Sequence, residues 1–211
     1  MKLYIYEHCP FCARVRYIAG RLGVPLDIEV LAYHDEATPT RLVGKKIVPI
    51  LQLDDGRLMT ESLEIIDMLI KLHLPAPAEL TPSPAVLAWQ RSAFPLLQKI
   101  GYPRWHHLAL KEFATAQSRA SWQARKESPE LNFMALMTQT TTIVNELESL
   151  LEQATVLLTE RDSLQPQAML DNAILYSILR GYACEPSINW PPALHRWLRQ
   201  SAELSSVPLV A

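Results

Sequence analysis

Short apolar runs of strand length fill the first part of the chain, and a helical period replaces them further on. Lys2-Leu3-Tyr4-Ile5-Tyr6 has the length and the β-branched and aromatic content of a strand. Beyond a tight turn, Cys12, Val15, Ala19 and Leu22 recur at helical spacing. Pro10 suits the first helical turn, where a missing N–H costs nothing, and Gly23 with Pro25 suits the stop. Leu26-Asp27-Ile28-Glu29-Val30 alternates as a second strand does. Residues 33–46 are polar and predict a loop with a short helix starting near Thr38-Pro39. Residues 47–53 predict a third strand, although Pro49 sits inside it, where proline is tolerated only at an edge, a bulge or a first position. Asp54-Asp55-Gly56 predicts a hairpin turn, and residues 57–60 a short fourth strand. Residues 61–74 predict a helix capped by Thr60 or Ser62, with Leu63, Ile66 and Leu69 or Ile70 inward. The order β-α-β-α-β-β-α implies an α/β unit with helices on both faces of the sheet.

The pattern changes after residue 72. Pro75, Pro77, Pro82 and Pro84 exclude regular structure and mark a linker at 73–84. From 85 to 211 the strand signal is gone. Helices are expected over 85–110, bent or broken at Gly101-Tyr102-Pro103, then over 113–126, 130–154, 166–183 and 192–204. In the third of these Leu136, Ile143, Leu147, Leu150 and Leu151 point inward, and the fourth is apolar all round, which implies burial on most faces. The expected organisation is thus 1–72, an α/β domain; 73–84, a linker; and 85–211, an all-α domain.

A chain of 211 residues with 49% hydrophobic content can build a real core. Its formal net charge of -2 argues against a nucleic-acid or membrane-surface partner. The apolar run after Met1-Lys2 ends at Glu7, too short for a secretory leader, and residues 63–74 are too short and too charged to span a bilayer. The expected compartment is the cytoplasm.

Chemistry concentrates at Glu7-His8-Cys9-Pro10-Phe11-Cys12. A strand before and a helix after place Cys9 at the helix N-terminus and Cys12 one turn inside. The thiolate is the nucleophile in thiol chemistry, and the helix start favours the anion. Arg14 and Arg16 add positive charge or point to solvent. Cys9 is the better nucleophile, and Cys12 is near enough to attack a mixed disulfide on it. Three other uses compete. Half a zinc site needs a second ligand pair, and the remaining cysteine, Cys184, has no partner nearby in sequence. A structural disulfide does not suit a cytoplasmic chain. Two inert thiols would not need a proline at the helix start.

The chain resembles the glutaredoxin-2 family, in which a glutaredoxin is built on a two-domain glutathione S-transferase-like architecture. The matching segments are Tyr4–Cys12, Thr38-Pro39-Thr40-Arg41, Val48-Pro49-Ile50-Leu51, Glu61-Ser62 and Ile188-Asn189-Trp190-Pro191. The resemblance implies a thioredoxin-fold N-terminal domain followed by an all-α C-terminal domain. It implies that Val48-Pro49 is a cis peptide facing the cysteines, with the Val48 backbone free to pair with a peptide. It implies that Ser62 and Glu61 hold the γ-glutamyl end of glutathione, with Phe11, Val48 and Pro49 completing the site and Lys45 or Lys46 reaching the glycyl carboxylate. Glutathione is then the co-substrate, no metal is needed, and the partners are glutathionylated or disulfide-containing proteins, met by a monomer. Phe11 departs from the tyrosine of many glutaredoxins, removing one hydroxyl from the site. Asp171 lacks the Ser or Thr cap three residues before it, and Cys184 is expected to be a buried structural thiol.

The resemblance implies glutathione-dependent thiol–disulfide exchange, with Cys9 attacking and Cys12 resolving. A conjugating glutathione transferase is the alternative; it would use Ser, Tyr or a single cysteine, and Cys12 argues against it. A non-catalytic or membrane-inserting protein on the same fold is the other, and the complete set of site residues argues against that.

Overall fold

The computed structural model describes residues 1–158 and 164–211. Four strands form one sheet: β1 (Lys2–Ile5), β2 (Asp27–Val30), β3 (Ile50–Gln52) and β4 (Leu58–Met59). Their spatial order is β2-β1-β3-β4. β1 pairs in parallel with β2, Leu3 opposite Ile28, and antiparallel with β3, Leu3 opposite Leu51; β4 pairs antiparallel with β3. Leu3, Tyr4 and Ile5 are all buried, as expected of a central strand covered on both faces, whereas edge strand β2 is largely open.

Three helices belong to the sheet half: α1 (Pro10–Leu22), α2 (Ala37–Val43) and α3 (Ser62–His73). Gly23 ends α1 at φ 67°, a left-handed conformation that glycine adopts without a side-chain clash. α1 packs against α3, and Val15 and Ile18 of α1 are fully buried. α2 begins at Ala37, just before the expected Thr38-Pro39 start, because Asp35 Oδ1 accepts from the Thr38 amide at 3.0 Å and turns the chain earlier. β3 begins at Ile50. Pro49 therefore precedes the strand, which removes the conflict of a proline within a ladder. On α3 the buried positions are Ile65, Ile66, Leu69 and Ile70, while Leu63 is 37% exposed. Glu61 is the N-cap and Ser62 the first helical residue, so neither Thr60 nor Ser62 caps it.

After residues 74–83, which carry no regular element, come α4 (Pro84–Trp105), α5 (Ala116–Lys126), α6 (Phe133–Thr138), α7 (Thr140–Leu157), α8 (Pro166–Leu179) and α9 (Pro192–Ser205). The Ser83 amide donates to Asp171 Oδ1 at 2.9 Å, so Asp171 ties the entry of α4 to α8. Helix α4 does not break at Gly101-Tyr102-Pro103. Residues 100–105 are all buried, Tyr102 O accepts from Trp122 Nε1 at 2.9 Å and Trp105 Nε1 donates to Gly181 O at 3.1 Å, so tertiary packing holds the helix through its proline. The segment expected as one helix over 130–154 is two. Thr138 and Thr140 turn their hydroxyls back onto the carbonyls of Ala135 and Met137, and Gln139 ends one helix and starts the next. Short 3-10 turns at Lys111–Phe113 and Arg180–Cys184 replace the helical ends expected there.

The helical half packs on α1 through α8 and α9. At the α1–α9 crossing Gly20 lies so near Ser205 that a Cβ would sit 1.9 Å from its carbonyl oxygen. The sheet half thus carries the cysteines on α1, and the helical half closes over their other side.

Candidate active site

The strand-to-helix turn after β1 presents Cys9. Its amide donates to Tyr6 O at 3.3 Å, and Cys9 itself is the N-cap of α1, followed by Pro10 at the first helical position. Cys9 lines a cleft of about 720 Å³ between the two halves. Cys12, one turn along, is wholly buried and does not line it. The two thiols therefore meet solvent unequally: an attacking group reaches Cys9, and Cys12 is sealed behind it.

Their acidities diverge in the same sense. A hydrogen bond from the Cys12 thiol holds Cys9 below its ordinary value; burial opposes this, and the Cys12 and Phe11 amides and the Arg14 guanidinium reinforce it. Cys9 stands at the N-cap of α1, where those amides carry the partial positive charge of a helix start. Burial, then the same hydrogen bond and the Cys9 charge, push Cys12 well above its ordinary value.

Three buried or half-buried cations share the Cys9 environment. Arg14 is buried, donates to Gln90 Oε1 at 2.8 Å and lies 4.8 Å from the Phe11 ring centroid. Burial lowers its pKa to about 10, against the pull of the Cys9 charge. Arg180, wholly buried at the end of α8, is likewise lowered to about 10 by burial, with Cys9 among the opposing charges. Lys126, at the end of α5, stands 5.3 Å from the Tyr102 ring and 5.7 Å from the Trp122 ring; burial lowers it and Cys9 raises it. Arg14 and Arg180 stay cationic at neutral pH. Arg14 lay within view of the sequence motif, but Arg16 does not line the cleft. Lys126 and Arg180 come from the helical half, and no sequence spacing links them to Cys9.

The residues expected at a glutathione site, Lys45 excepted, reach this cleft. Phe11, Val48, Pro49, Glu61 and Ser62 line it beside Cys9. The Val48–Pro49 bond is cis, and Val48 stands outside the β1–β3 ladder. Helix α3 opens onto the cleft without a side-chain cap, so its first amides are offered to an anion. Lys46 also lines the cleft, with its ammonium on Tyr33 O and 3.9 Å from Glu36; Lys45 is exposed and outside it. The far wall belongs to the helical half: Phe94, Tyr102, Trp105, Trp122 and Lys126. Cys184 is elsewhere, its thiol donating to Gly181 O at 3.3 Å and pushed up to about 12 by burial. Among the described residues no group of three or more metal-ligating side chains comes together, and no helix is long and apolar enough to cross a membrane.

A thioredoxin-type sheet joined to a helical half, with a C-P-x-C pair at a helix start, defines a two-part thiol–disulfide oxidoreductase built on the glutathione S-transferase architecture. Residues 85–211 match the family described as "Glutaredoxin 2, C terminal domain", and residues 8–72 match "Glutathione S-transferase, N-terminal domain". The glutaredoxin 2 of Escherichia coli K12 is 32% identical over 211 residues, all of this chain and 98% of that protein. A crystal structure of the glutaredoxin 2 of Salmonella typhimurium, in complex with glutathione, superposes with a TM-score of 0.90 at 30% identity, covering 99% of this chain and 96% of that one. Glutathione S-transferase unclassified 2 from Bombyx mori shares the fold at a TM-score of 0.60 and 16% identity, over 99% and 91% of the two chains. The chain belongs to the glutaredoxin 2 family.

Proposed function

We propose that this glutathione-dependent thiol–disulfide oxidoreductase works through Cys9 as nucleophile and Cys12 as resolving thiol. The observation that carries the assignment is the asymmetry of the pair: Cys9 lines the cleft and is held toward the thiolate, while Cys12 is buried behind it as a thiol. The Cys9 thiolate attacks the glutathione sulfur of a mixed disulfide. A Cys9–glutathione disulfide forms, and the other thiol leaves as its thiolate. A second glutathione thiolate then attacks, giving oxidised glutathione and regenerating Cys9. With a protein disulfide, Cys12 instead displaces the protein from Cys9, loses its proton and forms the Cys9–Cys12 disulfide, which two glutathione molecules reduce.

The glutathionyl group lies along the cleft. The Val48 backbone pairs with its peptide, as one rung of a sheet. The uncapped start of α3 and the Ser62 hydroxyl take the γ-glutamyl carboxylate, and Glu61 takes the ammonium group. Phe11 and Pro49 supply apolar walls, and Lys46 is the lysine placed to meet the glycyl carboxylate. The domains are 1–72, thioredoxin-like; 73–84, linker; and 85–211, helical. The protein acts as a monomer in the cytoplasm on glutathionylated or disulfide-containing proteins.

The test is the pair of single substitutions. Cys9→Ser should abolish reduction of a glutathione mixed disulfide, whereas Cys12→Ser should keep much of it, because free glutathione resolves Cys9. Equal loss in both variants would refute the monothiol route.

A further inference from the structure

The 3-10 turn Lys111–Phe113 of the helical half reaches the residues just before Cys9. Glu112 is 0% exposed, yet its Oε1 accepts from the His8 amide at 2.9 Å and lies 2.8 Å from His8 Nδ1. Its other oxygen, Oε2, has no hydrogen-bond partner among the described residues. Two further bonds tie the same turn. The Lys111 amide donates to Glu7 Oε2 at 2.7 Å, and the Glu112 carbonyl accepts from the Tyr33 amide at 2.9 Å. The His8 ring is stacked on Phe113 with centroids 5.3 Å apart and meets the Trp122 ring edge-on at 4.7 Å, so it cannot swing away to release the carboxylate.

A buried carboxylate is a poor stabiliser. Its desolvation offsets most of what its bonds return, and a well-packed apolar side chain would serve a core as well. This one spends both of its bonds on a single residue, adjacent to the nucleophile. Burial holds the His8 ring neutral against the pull of Glu112, so its Nδ1–H donates to an ionised carboxylate.

We propose that Glu112 is a positioning residue for the reaction: by holding the His8 amide and imidazole on one oxygen, it fixes the turn that aims Cys9 at the substrate disulfide. The helical half thereby sets the approach angle of a nucleophile carried by the sheet half. The inference rests on Cys9 being the attacking thiol. Thiol–disulfide exchange needs the attacking sulfur in line with the bond that breaks, and a misplacement of about 1 Å can cost roughly a hundredfold in rate.

Two near-isosteric variants separate reach from charge. Glu112→Gln keeps an oxygen at the same reach and loses the charge. Glu112→Asp keeps the charge and is one methylene too short to meet His8 unless the turn moves. The measurements are kcat and KM with a glutathione mixed disulfide, and exchange of the His8 amide with solvent deuterium, each beside Cys9→Ser. Glu112→Asp should lower kcat roughly tenfold or more with KM little changed and should expose the His8 amide to exchange, while Glu112→Gln stays within a few-fold of the parent. A fully active Glu112→Asp, or a Glu112→Gln as impaired as it, would overturn the proposal. The exchange measurement also decides the matter on the parent protein alone: a His8 amide that exchanges freely is not held by Glu112. Activity surviving in Cys9→Ser would instead overturn the assignment of the nucleophile, a separate failure.

Discussion

Replacing Cys12 by alanine removes the largest influence that holds Cys9 below its ordinary value. In the parent, the Cys12 thiol donates to the Cys9 sulfur, and this bond outweighs the burial that opposes the thiolate. Cys12 is 0% exposed, so no water replaces the lost donor, and the methyl group of alanine leaves the sulfur facing a small apolar gap. A hydrogen bond to a charged group contributes about 1.5–3 kcal/mol. At 1.36 kcal/mol per factor of ten, losing it lowers the thiolate fraction roughly ten- to a hundredfold at any pH below the Cys9 midpoint. Cys12→Ser keeps a donor at the same place and should lose much less. The assay is the rate of iodoacetamide alkylation against pH, with the modified cysteine located by peptide mass. Background is low because burial pushes Cys184 up to about 12 and Cys12 is sealed. The alanine curve should be displaced to higher pH, and at high pH its limiting rate should equal or slightly exceed the parent's, since a more basic thiolate is the better nucleophile. Superimposable curves for the parent and the alanine variant would refute the reasoning and leave the helix start and the cations as the whole cause of Cys9 acidity.

The joint variant Glu61→Gln with Ser62→Ala should raise KM for a glutathionylated substrate roughly tenfold or more, with a smaller effect on turnover and no change in Cys9 alkylation. Unaltered kinetics would make the start of α3 a plain helix end. Gly20→Ala would press a Cβ to within 1.9 Å of Ser205 O, a backbone atom that cannot rotate away. Overpacking of this kind costs about 1–3 kcal/mol, and each kcal/mol lowers Tm by about 2–4 °C in a chain this long; an unchanged Tm would show that α1 and α9 part freely. Stability should fall on acidification. Burial sets His8 below its ordinary 6.5, and although burial opposes it, hydrogen bonding to His8 and to Ser187 respectively sets Glu112 and Glu185 below 4.5. Each group takes up its proton more readily unfolded, so this stability is complete above the unfolded values and is lost as pH falls through the lower folded ones. A urea midpoint that stayed level from neutral pH to about pH 4 would contradict those assignments.

What the sequence revealed about the site was local. Pro10 and Gly23 bracket α1 and fix Cys9 at its start, and Pro49 announced by its conflict that residues 47–53 could not all be strand. The second half of the site is non-local. Glu112, Lys126 and Arg180 meet Cys9 or its turn only through the packing of α5, α8 and a 3-10 turn on the sheet half, and no periodicity encodes such a meeting. Local propensity also erred where tertiary contacts rule. Gly101 and Pro103 are helix breakers in isolation, but Trp122 and Gly181 hold Tyr102 O and Trp105 Nε1 from outside the helix and keep α4 whole. The split at Gln139 ran the other way, with threonine hydroxyls competing for helix carbonyls and no glycine or proline to announce it.

Arg180 gives the molecule an order of assembly. Its Nη1 donates to the carbonyl of Glu7, 173 positions earlier, at 3.0 Å, while its Nε donates to Pro208 O at 2.8 Å and its own carbonyl accepts from the Val210 amide at 3.1 Å. During synthesis the sheet and α1 can form once the first 72 residues have left the ribosome, since their pairings are short in range. The turn before Cys9 has no such independence: its carbonyl partner emerges with α8, and that partner is itself anchored by Pro208 and Val210. A nascent chain halted before this point would carry the strand, the helix and the thiol, but not the arginine beside them. On the proposed assignment of Cys9 as the nucleophile, the attacking thiol lacks its Arg180 neighbour until the chain has been made through α8 and the segment around Val210.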